Sequence, residues 1–328
     1  MTTPVPHWPG RMVELASGER VWLAETPAAK RELVLFAHGM SGAATNWTDL
    51  MAELAPDFDC VALDLPGSGF SPPPKRRAGY RAGYSVSAQA GTVIRLIEAL
   101  TSDSSDAGDG RVHLVGNSMG GAVAVRVAAR RPDLVKTLTL ISPAMPDLKV
   151  RRTVMHFPLL ALPLLGERLV RHWAQRYPVE NRVAGVFEMC FADPSRLHRD
   201  RFAAEVEALR RRDSLSHEPA SLVGAARTLV AETLKPAPFS LWRAAARVTA
   251  PCLVLFGQRD RLVHPRLAVR ATRVFRDARV LVLPDTGHLA QMERPGAVAA
   301  LFREMVTETR NRGEDAGNAG RRDPVDAH

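Results

Sequence analysis

A serine between glycines, a histidine beyond a turn and an aspartate lying between them in the chain are the residues best suited here to covalent chemistry. Ser118 stands in Gly116-Asn117-Ser118-Met119-Gly120-Gly121, after the apolar run 112–115 and before a segment of helical period. A sharp strand-to-helix turn of this kind holds a hydroxyl above a sheet, and its glycines let neighbouring backbone come close. The helix start aims free amides at the same point. A phosphate loop would need G-x-G-x-x-G or a P-loop lysine, and the spacing fits neither. A plain glycine-rich turn is the remaining alternative.

A serine hydroxyl attacks a carbonyl only when a base takes its proton. Of the ten histidines, His288 is best placed, in Pro284-Asp285-Thr286-Gly287-His288 directly after the last strand-like run. His38, in His38-Gly39 after the first core strand, suits bracing a loop. An imidazole base needs a carboxylate to fix its tautomer. Asp260 follows the run 253–256 and is the expected partner; Asp147 is a second possible donor, and Asp285 sits on the wrong side of its turn. The alternative for Asp260 is a loop cap or a partner of Arg259 or Arg261. The oxyanion formed during acyl transfer needs preorganised donors. The Met119 amide would be one, and the second would come from His38-Gly39-Met40-Ser41-Gly42, with Met40 first and Ser41 next.

These residues need elements to carry them. Near-continuous apolar runs at 33–37, 60–63, 112–115, 138–141, 253–256 and 280–283 read as strands covered on both faces. Stretches of helical period at 47–54, 87–100, 119–129, 265–275 and 295–309 alternate with them, which makes a doubly wound, mostly parallel α/β sheet. Runs 13–15 and 21–24, joined through Ser17-Gly18, predict an antiparallel hairpin at its edge. Ligands of such sheets sit beyond the carboxyl ends of the strands, where Ser118, Asp260, His288 and the 38–42 loop all fall. From 144 to 240 only helical segments punctuated by prolines occur, so an inserted helical domain is expected there. The segment 101–110 reads as a surface loop and 311–328 as a disordered tail.

The chain has 328 residues, 46% hydrophobic and 24% charged, which excludes disorder as the whole answer. Its net charge of +9 comes from dispersed arginines, only five of the 44 basic residues being Lys, and no nucleic-acid-binding motif accompanies them. Cys60, Cys190 and Cys252 are far apart and without C-x-x-C, which fits buried thiols in a reducing, cytoplasmic setting. The beginning of the chain lacks the pattern of a secretory signal. The longest apolar run, 157–165, is half a membrane span with two prolines, so no integral span is expected.

Taken with Asp64-Leu65-Pro66-Gly67-Ser68-Gly69-Phe70-Ser71, Gly257-Gln258-Arg259-Asp260 and Gly287-His288, the order Ser, Asp, His resembles the α/β-hydrolase superfamily over about residues 20–143 and 241–310. The resemblance implies a core of 1–143 and 241–310 with a cap at 144–240. It also implies a Ser118-His288-Asp260 triad with Met40 and Met119 at the oxyanion hole. Ser at 118 disfavours the branches whose nucleophile is a carboxylate. The segments around Ser118 and from Gly287 to Glu293 are similar to carbon–carbon bond hydrolases of ring-fission products. Those usually carry Gly-Pro-Gly after His-Gly and Trp after the histidine, where this chain has Met40-Ser41-Gly42 and Leu289. The departures favour a carboxylesterase or lipase-like activity on a small-molecule ester or related apolar substrate, with no metal or organic cofactor. A carbon–carbon hydrolase of a vinylogous diketone acid, or a non-catalytic ligand receptor, is the alternative. Oligomeric state is left open. In the expected cap, the apolar run 157–165 suits core packing, with an acyl pocket or a lipid surface as alternatives. Trp173, Phe187 and Phe191 suit the cap's core, and Arg151, Arg152, Arg168, Arg171, Arg176 and Arg182 a solvated face, with binding of a substrate carboxylate or phosphate as the alternative.

Overall fold

The structure is a computed structural model and describes residues 5–29, 31–74, 82–102, 109–149, 157–162, 164–215 and 218–319. Eight strands form one sheet: β1 (Gly10–Glu14), β2 (Arg20–Glu25), β3 (Leu33–Ala37), β4 (Asp59–Leu63), β5 (Val112–Asn117), β6 (Val135–Ile141), β7 (Cys252–Gly257) and β8 (Ala278–Leu283). Their order is β1-β2-β4-β3-β5-β6-β7-β8. The first two strands are the antiparallel hairpin expected at one edge, and every pair from β4 through β8 is parallel.

The apolar runs were continuous because alternate residues serve two cores. Leu35, Leu114 and Val254 point into one cluster; Phe36, Val115 and Leu255 point into another on the opposite face. Helices cover both faces: α1 (Thr48–Leu54), α2 (Val86–Ser102) and α3 (Met119–Arg130) belong to the first half of the chain. Residues of α2 and α3 fill the first cluster, and those of α1 the second. After β6 the described residues form α4 (Phe157–Leu160), α5 (Leu165–Arg176), α6 (Val179–Cys190), α7 (Arg199–Asp213) and α8 (Glu218–Leu234). Then come α9 (Leu241–Ala245), α10 (Leu267–Val274), α11 (Ala290–Glu293) and α12 (Pro295–Ala319), of which α9 and α10 join the first core and α12 the second.

The helical insert has a small apolar cluster of its own, Val183, Phe187, Cys190, Phe191 and Val206. Arginines tie it to the sheet. Arg201 reaches Asp49 and the Val5 carbonyl, Arg196 reaches Glu293 and the Asp285 carbonyl, and Glu232 pairs with Arg126 of α3. Phe187 and Phe191 lie in the insert's core as expected, but Trp173 is 44% exposed. It stands on α5, whose main helix contacts among the described residues are with α4 and α8. The run 157–165 is also not packed on the core: α4 is one turn long and contacts only α5 and α8 closely, leaving Leu164 69% exposed. Arg151 and Arg152 lie outside the described residues, as does most of 101–110. The segment expected to be a disordered tail continues α12 to Ala319, with Arg310 and Arg312 bonded to Glu32 and Asp277; the remainder is outside the described residues.

Candidate active site

Ser118 is the residue between β5 and α3, with φ 53° and ψ −117°. Only a turn held on all sides keeps a non-glycine residue in such a conformation. Here Ser118 N–H donates to the Ile141 carbonyl, and the Ser118 carbonyl accepts from Ala122 and Ala144. Close packing beneath the turn requires glycine: a Cβ on Gly120 would lie 2.1 Å from the Ala37 carbonyl oxygen. Met119 opens α3, so its amide is one of the first-turn donors without a carbonyl four residues back.

Asp260 follows β7 and is fully buried. Its Oδ2 lies 2.8 Å from His288 Nδ1, and its Oδ1 accepts from the Leu262 and Val263 amides at 2.8 and 2.9 Å. The loop cap and the histidine partner are therefore the same carboxylate. Burial opposes its charge, but the adjacent His288, together with the donated hydrogen bonds, outweighs burial and holds the carboxyl below the ordinary range. Asp147 instead pairs with Arg266, and Asp285 with Arg259.

Ser118 and His288 both line one cavity of about 910 Å³, bounded by the loop 39–42 on one side and by the insert on the other. The loop is braced from below. His38 accepts the Leu65 amide on Nε2 (3.0 Å), so its Nδ1–H donates to the Gly39 carbonyl (2.7 Å). Burial lowers its pKa to about 4. Asp64 accepts from Ala44 N–H at 2.6 Å and Phe70 N–H at 2.7 Å; burial raises its carboxyl to about 6 against those two donors. Ser41 has φ 58°, and its carbonyl accepts from Arg212 of α7. Met40 and Ser41 thus both remain at the cavity wall.

Two further residues hold this geometry and were not singled out for a role from sequence. Asn117 Nδ2 donates to the Ile141 and His288 carbonyls at 3.0 and 3.1 Å, tying the exits of β5, β6 and β8 together. Glu293, its side chain wholly buried, accepts from the Gly287, Ala192 and Asp193 amides and from Arg196. His288 N–H donates to the Cys190 carbonyl at 2.6 Å, and a Cβ on Gly287 would meet that same oxygen at 2.2 Å. The histidine loop is therefore packed against the insert backbone. Glycine at 287 and a glutamate two places before Pro295 are visible in the sequence; partners that are backbone amides are not.

Across the cavity the insert presents Val183, Val186, Phe187 and Leu209 beside Arg182 and Arg212. Arg182 is buried, paired with Asp213 and set 5.6 Å from the Trp173 ring centroid, whereas Arg168, Arg171 and Arg176 are solvated as expected. Among the described residues no group of three His, Cys, Asp or Glu side chains is placed to hold a metal ion.

A 2-hydroxy-6-oxononadienedioate/2-hydroxy-6-oxononatrienedioate hydrolase of Cupriavidus pinatubonensis is 28% identical over 310 residues, 91% of this chain and 94% of that protein. A pimeloyl-[acyl-carrier protein] methyl ester esterase of Neisseria meningitidis is 26% identical, over 85% of this chain and 95% of its own length. The first curated relatives matched are longer, and the chain spans 26% and 59% of two of them. In fold it is similar to a bacterial membrane phospholipase A, with TM-score 0.71 and 24% identity over 92% of this chain and 87% of that one. The family model described as alpha/beta hydrolase fold matches residues 32–295, and the chain belongs to that family.

Proposed function

We propose that the protein is a serine hydrolase that cleaves a carboxylic ester through an acyl-enzyme. Ser118 Oγ attacks the ester carbonyl while its proton passes to His288 Nε2, which is unprotonated because Nδ1–H faces Asp260. The tetrahedral oxyanion is held by the Met119 amide and by that of Met40. Collapse breaks the ester C–O bond, and the histidine returns the proton to the leaving alcohol. Water, deprotonated by the same ring, then releases the acid and regenerates Ser118. Residues 144–240 act as the cap that closes the cavity over this chemistry, and the three buried free thiols suit a cytoplasmic setting.

What carries the reading is the 2.8 Å contact of a buried Asp260 with His288, in a cavity shared with a serine at a positive-φ turn. A second reading, hydrolysis of a carbon–carbon bond in a vinylogous diketone acid, draws on the near full-length relative that acts on an oxo-dienedioate. The departures at Met40-Ser41-Gly42 and Leu289 favour the ester. A fluorophosphonate is expected to label Ser118 stoichiometrically; a folded protein left unlabelled would overturn both readings. A panel of p-nitrophenyl esters beside one vinylogous 1,5-diketone acid ranks them by kcat/KM, and preference for the diketone acid would install the second.

A further inference from the structure

Helix α5 carries Leu165, Leu169 and Trp173 one turn apart and ends at Tyr177, and all four are between 38% and 49% exposed. Leu162 and Leu164 extend the same surface at its start. Six large apolar side chains are thus exposed within residues 162–177, a concentration that a soluble monomer rarely leaves in water. Arg168 and Arg176 are exposed on the same helix and away from the cavity, whereas Arg171 is exposed at the cavity wall, so the outer side of α5 joins apolar and cationic surface. An aromatic pair with leucines on one side and arginines on the other is the pattern of a helix lying in the plane of a membrane interface.

The inner side of the same helix adds the second observation. Val170, Trp173 and Ala174 line the cavity that holds Ser118 and His288, so the exposed patch and the reactive pocket share one wall. The apolar surface is thus continuous from the outside of α5 to the site. We propose that α5 docks on an anionic lipid bilayer and that the substrate of the Ser118 site is an acyl ester drawn from that surface. The docking stands on the patch itself, whereas the substrate class rests on the ester-hydrolase reading above.

Leu165, Leu169, Arg168 and Arg176 do not line the cavity, so they can be changed without touching the site. The test is co-sedimentation of the full chain with vesicles of phosphatidylcholine, with and without phosphatidylglycerol. It is paired with hydrolysis of water-soluble p-nitrophenyl butyrate and of p-nitrophenyl palmitate carried in the vesicles. The wild type is expected to bind the anionic vesicles more tightly, and less so as salt rises. Leu165→Gln with Leu169→Gln should weaken binding about tenfold or more. Arg168→Glu with Arg176→Glu should remove the preference for anionic vesicles, roughly 25-fold at about fivefold per basic residue. Both pairs should keep butyrate turnover within about twofold while palmitate turnover falls with binding. A wild type that stays in the supernatant, or variants that sediment like it, would overturn the docking. So would a dimer, found without lipid, that the leucine pair dissolves. Vesicle binding by a wild type that turns over neither ester would leave the docking standing and overturn the ester reading instead.

Discussion

The strand exits and the helical insert face each other across one cavity and are built on opposite terms. On the sheet side three buried polar side chains are each bonded at least twice: Asp260 to His288 and two amides, Asp64 to two amides, Asn117 to two carbonyls. The insert has a small core, and its outermost helix turns leucine, tryptophan and tyrosine toward solvent. Chemistry demands fixed atoms, whereas choosing a substrate demands a surface that can be met from outside. Changes on the sheet side should therefore act on turnover, and changes on the outside of the insert on where the enzyme works.

The sharpest way to break that contrast is Ser118→Ala. Ester turnover should fall on the order of 10⁴- to 10⁶-fold, with the melting temperature unchanged or higher, since a strained catalytic position gives up little stability when replaced. A large loss of melting temperature would make the turn structural. Asp260→Asn should cost on the order of 10³- to 10⁴-fold in kcat by allowing the wrong histidine tautomer; an intact kcat would remove Asp260 from the relay. Glu293→Gln lies on the seam. It should lower kcat about 10- to 100-fold with KM little changed, slow fluorophosphonate labelling in parallel and cost about 2–3 kcal/mol of stability. A purely structural Glu293 would show the stability loss alone.

The smallest effect concerns the brace beneath the loop 39–42. His38 has a folded pKa of about 4 against an ordinary 6.5, so its contribution is fully present above pH 6.5 and lost as pH falls through 4, about 3 kcal/mol in all. Asp64, raised to about 6 from 3.8, works the other way: its contribution is present below pH 4 and lost as pH rises through 6. The two slopes oppose each other in the wild type. Asp64→Asn removes one, and its melting temperature should drop more steeply between pH 6.5 and 4 than that of the wild type. Parallel curves would mean that the two groups do not titrate as their burial implies.

The sheet was legible because a strand buried on both faces leaves an uninterrupted apolar run, and the order of such runs prescribes the exits at which Ser118, Asp260 and His288 stand. Other features left no such trace. Glu293 looks like any helix-face carboxylate, since three of its four donors are backbone amides. Asn117 hides inside the serine motif, yet its side chain bonds carbonyls on two neighbouring exits. Trp173 was read as core because aromatic residues usually are; its exposure depends on which face of α5 meets α8, and helical period alone does not say. The helical continuation past residue 310 rests on the reach of Arg310 and Arg312 to Glu32 and Asp277, both distant in the chain.

One consequence follows from the bonds joining Cys190, Ala192 and Asp193 to His288 and Glu293. Because Arg201 on Asp49 and Glu232 on Arg126 fasten the insert elsewhere as well, the strap at residues 190–193 makes the histidine loop and the roof above it one unit. A displacement of that roof is therefore felt at the base of the relay, while the greasy, arginine-flanked shoulder at α5 borders the same hollow from its other wall.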